Sequence, residues 1–250
     1  MISEDFAAGD SFLHHADPRV KLAAATAFSV VVALLGTPGP LLAAALFAVL
    51  LALLAKLPPR ALAARLALVN GFVLFLWATL PFSLPGIPLL TLGPLTASSE
   101  GVWQALLITL KSNAIILALL ALLATTPVIT LAHAANHLFV PAKLVHLFFF
   151  TYRYIHVLHA EYVSLGNAMR IRCFRPRTSL HTYRSYAYLV GMLLLRSFRR
   201  SQRVYDAMVC RGFKGTFWLL DHFELRRADL LAGVAMGLFT AGLALWGLWS

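Results

Sequence analysis

Two seven-residue stretches, Ala168-Met169-Arg170-Ile171-Arg172-Cys173-Phe174 and Ala207-Met208-Val209-Cys210-Arg211-Gly212-Phe213, share the pattern A-M-x-x-R-[CG]-F. Each presents one arginine beside a phenylalanine. An arginine fork suits bidentate binding to a partner's carboxylate, and a neighbouring Phe suits an adjoining apolar pocket. Either arginine would also offset the negative end of a helix dipole, an effect of about 0.3–1 kcal/mol; duplication inside a basic region favours docking. Ahead of the second copy, Arg196, Arg199, Arg200 and Arg203 recur at i, i+3, i+4 and i+7, while Val190, Leu194, Phe198, Tyr205 and Met208 line another side. This periodicity predicts an amphipathic helix over Tyr183–Arg211, ended by Gly212 as its C′ glycine.

The remaining reactive side chains do not assemble into a catalyst. His133 and His137, and likewise His156 and His159, have helical ligand spacing, but neither pair has a third ligand nearby and no H-E-x-x-H occurs. No metal ligation and no catalytic residue are expected. Cys173 and Cys210 form no CxxC and no disulfide framework; each adjoins a motif arginine, and packing is the expected role. A G-x-x-x-x-G-K-[ST] nucleotide loop is absent. Lys111, about ten residues into an apolar run, is an unusual charge near mid-bilayer depth; an inter-helix contact is expected, either with a polar partner such as Asn70 or Asn113 or with another membrane subunit.

The elements that position these residues follow from composition. Of 250 residues, 60% are hydrophobic and 12% charged, about half the charge of an ordinary soluble domain, and mean hydropathy is +0.79. A soluble enzyme is excluded. The runs Val20–Leu35, Leu41–Leu57, Ala61–Leu80, Val102–Thr125 and Asp229–Trp249 are candidate spans, the first two short for a bilayer. Basic residues near the span ends place the N-terminus and the 126–228 region inside and the C-terminus outside. A sixth crossing within Pro127–Phe150 would break that parity, so five are expected. Asp17-Pro18 reads as an N-cap with a first-turn proline, Arg19 and Lys21 as snorkelling cations, and the first span as retained rather than cleaved. Small residues in Leu41–Ala55 and the G-x-x-x-G of Gly233 and Gly237 predict close helix contacts, the last span being a candidate surface against another helix, of this chain or of another subunit.

The expected fold is therefore an all-α polytopic membrane protein. Residues 1–125 hold four spans, 126–228 a cytoplasmic arm, and 229–250 a last span. Fifteen of the 21 basic residues lie between Lys143 and Arg227, opposed by four acids, so this block carries the whole net charge of +11. An anionic lipid surface or an acidic protein is the expected counterpart rather than nucleic acid.

The A-M-x-x-R-G-F element, the preceding L-x-x-R-S-F-x-R-x-x-R-V-Y stretch, the D-P-R-x-K start and the span-arm-span layout resemble the transmembrane (T) component of energy-coupling-factor (ECF) importers, in the cobalt/nickel branch of CbiQ or NikQ type. The resemblance covers nearly the whole chain, with its specificity in residues 152–215. It implies a non-catalytic subunit of the bacterial inner membrane that holds no cofactor. ATP and Mg would be bound by a cytoplasmic ATPase pair, and cargo by a separate substrate-binding membrane subunit, with a small accessory membrane subunit as a further partner. By the match, Arg172, Cys173 and Phe174 form the first docking motif and Arg211, Gly212 and Phe213 the second, supported by the basic face of Arg196, Arg199, Arg200 and Arg203. Cys173 departs from the pattern's glycine, which predicts a looser or differently shaped first dock and a greater loss of coupling from Arg211→Ala than from Arg172→Ala. The rival readings are a polytopic membrane enzyme or lipid-binding protein whose arm meets an anionic substrate, and a secondary transporter with a path at Lys111. No span interior contains Asp or Glu, and no span pair is repeated, which weighs against both.

Overall fold

In the computed structural model, residues 9, 11–85, 87–92, 95–138, 140–215 and 227–249 are described. Proline and small polar residues set where the helices start. α1 is the short turn Phe12–His15. α2 (Pro18–Leu34) begins as expected, with Pro18 in its first turn and the Asp17 carboxylate accepting the Arg19 backbone N–H at 2.8 Å. α3 (Pro38–Leu54) and α4 (Pro59–Ser83) also open on proline. A two-stranded antiparallel hairpin, β1 (Pro88–Leu92) and β2 (Leu95–Ser98), follows, an addition to an otherwise helical chain. Ser98 then caps α5 (Ser99–Leu122) by accepting the Gly101 N–H. α6 (Val128–His137), α7 (Ala142–Ile171), α8 (Leu180–Cys210) and α9 (Arg227–Trp249) complete the order.

The chain is an all-α polytopic membrane protein. Five helices correspond to the five apolar runs. α4, α5 and α9 are each long and apolar enough to cross a bilayer. α2 and α3 have 17 residues each, about 25 Å at 1.5 Å per residue. The 127–150 stretch is not one helix, because α6 ends at His137 and α7 begins at Ala142, with Pro141 at its N-cap.

Two compact units result, Pro141–His222 and Ile2–Val140 with Phe223–Ser250. The arm unit thus begins at 141 rather than 126, since α6 packs against α2. In the membrane unit, α3 and α5 meet along Ala44 and Ala48 facing Ala114 and Ala118, all fully buried, beside Phe28, Val32 and Leu41. Alanine there brings two backbones close, which is how apolar helices gain contact when lipid competes for every larger side chain. α5 meets α4 still more tightly at Gly101, where a Cβ would lie 2.6 Å from the Leu80 carbonyl oxygen.

One expectation for this unit is corrected, and two are met with partners that the structure supplies. Lys21 does not snorkel: it is 3% exposed, and its Nζ donates to Thr126 Oγ1 at 2.8 Å, because α2 lies against the end of α5 and a buried ammonium needs acceptors. The close helix contact expected of the last span is found within the chain, with Gly233 of α9 closing on Val20 and Gly247 on Leu35, whereas nothing among the described residues lies near Gly237. Lys111 makes the expected inter-helix contact, but with neither asparagine. Its Nζ donates to the Ala33 carbonyl at 3.0 Å, satisfying one of the orphan carbonyls at the α2 C-terminus. Asn70 and Asn113 instead exchange two amide hydrogen bonds, 3.1 and 2.9 Å, between α4 and α5.

Candidate partner-docking site

In the arm unit, α7 and α8 are long helices with few buried residues. Val190, Leu194, Phe198 and Tyr205, the apolar side of α8, are exposed, Leu194 at 66% and Phe198 at 61%. The amphipathic pattern is real, and its apolar face is presented outward. α7 and α8 are joined by Glu161, whose carboxylate pairs with Arg196 and, at 3.6 Å, with Arg200. The four-arginine face therefore divides. Arg196 and Arg200 brace one helix on the other, while Arg199 and Arg203 are exposed and form no ion pair among the described residues.

Both repeated motifs are helix C-termini, and their backbones close in the same way. In the first, Arg172 is the C-cap; the Cys173 N–H donates to the Arg170 carbonyl at 2.9 Å and the Phe174 N–H to the Met169 carbonyl at 3.1 Å. In the second, Arg211 is the C-cap; Gly212 donates to Val209 at 2.9 Å and Phe213 to Met208 at 3.0 Å. These are the paired bonds of a Schellman closure, which needs a left-handed residue at C′. Gly212 has φ 80°, as its C′ assignment requires, and Cys173 has φ 60°. A non-glycine residue thus adopts the left-handed C′ conformation that closure onto the Arg170 and Met169 carbonyls of α7 requires, at a cost of about 1–2 kcal/mol. Four of the five shared positions of A-M-x-x-R-[CG]-F have a place in the closure: Met at C3, Arg at the C-cap, Gly or Cys at C′ and Phe at C″. Both cysteines are exposed free thiols, so the packing expected of them is not found.

Their surroundings differ. Arg172, Cys173 and Phe174 border an open pocket of about 730 Å³ that also contains Arg175 and Arg177. Phe213 lies on a groove of about 400 Å³ walled by Phe150, Tyr154, Val157 and Tyr205. Arg175 and Arg177 were not among the sequence-derived site residues; the R-x-x-R-x-R spacing from Arg172 is the signal for them.

The family model for the cobalt transport protein CbiQ matches residues 9–219, which include both helix ends. The chain belongs to the CbiQ family. Among its relatives, the energy-coupling factor transporter transmembrane protein EcfT of Thermosediminibacter oceani is 26% identical over 251 residues, 94% of this chain and 93% of that protein. The cobalt transport protein CbiQ of Rhodobacter capsulatus is 28% identical over 135 residues, 53% of this chain and 55% of that protein. This CbiQ-family chain is a transmembrane component of a transporter, with apolar helices that make it multi-pass. Among its described residues no group of three or more His, Cys, Asp or Glu could hold a metal ion; His133 and His137 lie with ring centroids 5.2 Å apart on one helix.

Proposed function

We propose that this chain is the coupling subunit of an ATP-driven ECF importer in the bacterial inner membrane, with cobalt or nickel ions as cargo. The cytoplasmic ATPase pair binds ATP and Mg and hydrolyses the nucleotide. Nucleotide-driven closure of that pair carries the two docked helix ends, and the arm passes the motion to a separate substrate-binding membrane subunit. The observation that supports this reading is the repetition of one backbone closure at the ends of α7 and α8, each with an arginine at the C-cap and a Phe at C″. Two alike points suit a partner with two-fold character. The energy is differential: the arm moves only as far as nucleotide binding favours one arrangement of the ATPase pair over the other. The acid-bearing brace at Glu161 keeps α7 and α8 in register as one lever.

The test is co-purification of the tagged chain with the ATPase, alongside metal uptake by vesicles holding the whole importer. Arg172→Ala/Arg211→Ala is expected to lose the ATPase and uptake while inserting normally in the membrane. An ATPase that stays bound, with uptake intact, would reduce both arginines to helix-end charges.

A further inference from the structure

The turn joining α7 to α8 carries three arginines within six residues, Arg172, Arg175 and Arg177, and all three line one pocket with His181 and Arg196. No Asp or Glu borders it, and among the described residues the three turn arginines form no ion pair. The turn is held on both sides. Its first end is the closure at Cys173; its second is the Ser179 cap of α8, where the Arg177 backbone N–H donates to Thr182 Oγ1 at 3.2 Å. Phe174 between them packs edge-on against Tyr186 with ring centroids 5.8 Å apart. Pro176 restricts the backbone between Arg175 and Arg177. Three exposed arginines thus line one open pocket at a turn whose backbone is held at both ends, and like charges on one such surface repel to an extent that salt screens. An acidic counter-surface removes that cost.

The other helix end lacks this feature. Its groove is apolar, and the one charged residue lining it is Arg200, already within 3.6 Å of Glu161.

We propose that the first helix end docks on an acidic protein surface through Arg172, Arg175 and Arg177 acting together, so that two ends alike in backbone are electrostatically unequal. This deepens and rests on the coupling reading above. A membrane is a plane and meets basic residues spread along a helix face; a pocket framed by a rigid turn fits a protruding acidic segment. Arg175 and Arg177 are then docking residues in their own right, and ionic strength acts on the first contact far more than on the second.

The experiment uses the full-length chain in phosphatidylcholine nanodiscs and the purified ATPase subunit of its importer, with affinity measured from 0.1 to 1 M salt. Arg175→Gln/Arg177→Gln is expected to bind about tenfold more weakly at 0.1 M salt, the gap closing to about twofold at 1 M, where the Debye length is about 3 Å. Arg175→Lys/Arg177→Lys should restore most of the salt dependence, and Arg211→Ala should keep the wild-type slope. Equal binding of wild type and the Gln variant at 0.1 M would overturn the proposal. So would a deficit that is the same at every salt concentration, or one that appears only when phosphatidylglycerol is added, which assigns the arginines to lipid. Failure of wild type itself to bind the ATPase would instead refute the coupling reading.

Discussion

Cys173→Gly tests the left-handed closure of the first helix end directly. At φ 60° the cysteine Cβ crowds the following carbonyl, a strain of about 1–2 kcal/mol for any L side chain. Glycine removes that strain but adds about 0.4–1 kcal/mol of unfolded-chain entropy. The net expectation is a helix end more stable by about 0.5–1 kcal/mol, and closing bonds that open some two- to fivefold less often. The reciprocal change, Gly212→Ala, meets no neighbour within 4 Å, so its cost is conformational alone and of the same size with opposite sign. Hydrogen exchange of the full chain in nanodiscs reads both. Peptides covering Cys173 and Phe174, whose amides make the 2.9 and 3.1 Å closing bonds, should exchange some two- to fivefold more slowly in Cys173→Gly. Those covering Gly212 and Phe213 should exchange faster by a similar factor in Gly212→Ala. Faster exchange at Phe174 in the glycine variant would show that Cys173 is not left-handed in solution, and the equivalence of the two closures would fall.

Lys111→Met leaves the Ala33 carbonyl at the α2 terminus without its donor; a loss of about 1–3 kcal/mol is expected, read as a lowered unfolding midpoint in nanodiscs, with Lys111→Arg retaining more of the wild-type value. An unchanged midpoint would mean the carbonyl needs no cap. Gly101→Ala forces a Cβ to 2.6 Å from backbone of α4 and should destabilise the α4–α5 pair by about 1–3 kcal/mol, seen as faster hydrogen exchange in residues 77–83 and 99–109. Arg211→Ala should still weaken coupling in vesicle uptake more than Arg172→Ala, now because Arg175 and Arg177 remain at the first end; equal losses would show that those two arginines add nothing.

The backbone closures of α7 and α8 are legible in seven residues, because a Schellman closure is local: it needs a left-handed C′ and apolar groups at C3 and C″, and A-M-x-x-R-[CG]-F supplies them in order. For the same reason the Asp17-Pro18 start and the apolar runs are readable from the chain alone, since capping and hydropathy act over one or a few turns. At Cys173 the intrinsic preference against a left-handed backbone loses to the unpaired carbonyls of a helix end. The charges were different. Whether Lys21 reaches water or Thr126, whether Lys111 meets Asn113 or the end of α2, and which of four regularly spaced arginines meet Glu161 depend on the helix lying alongside, and those partners are distant in sequence. A buried or paired charge takes its energy from the whole surrounding shell of dipoles and counter-charges, so its role was decided only when helix packing brought that shell together.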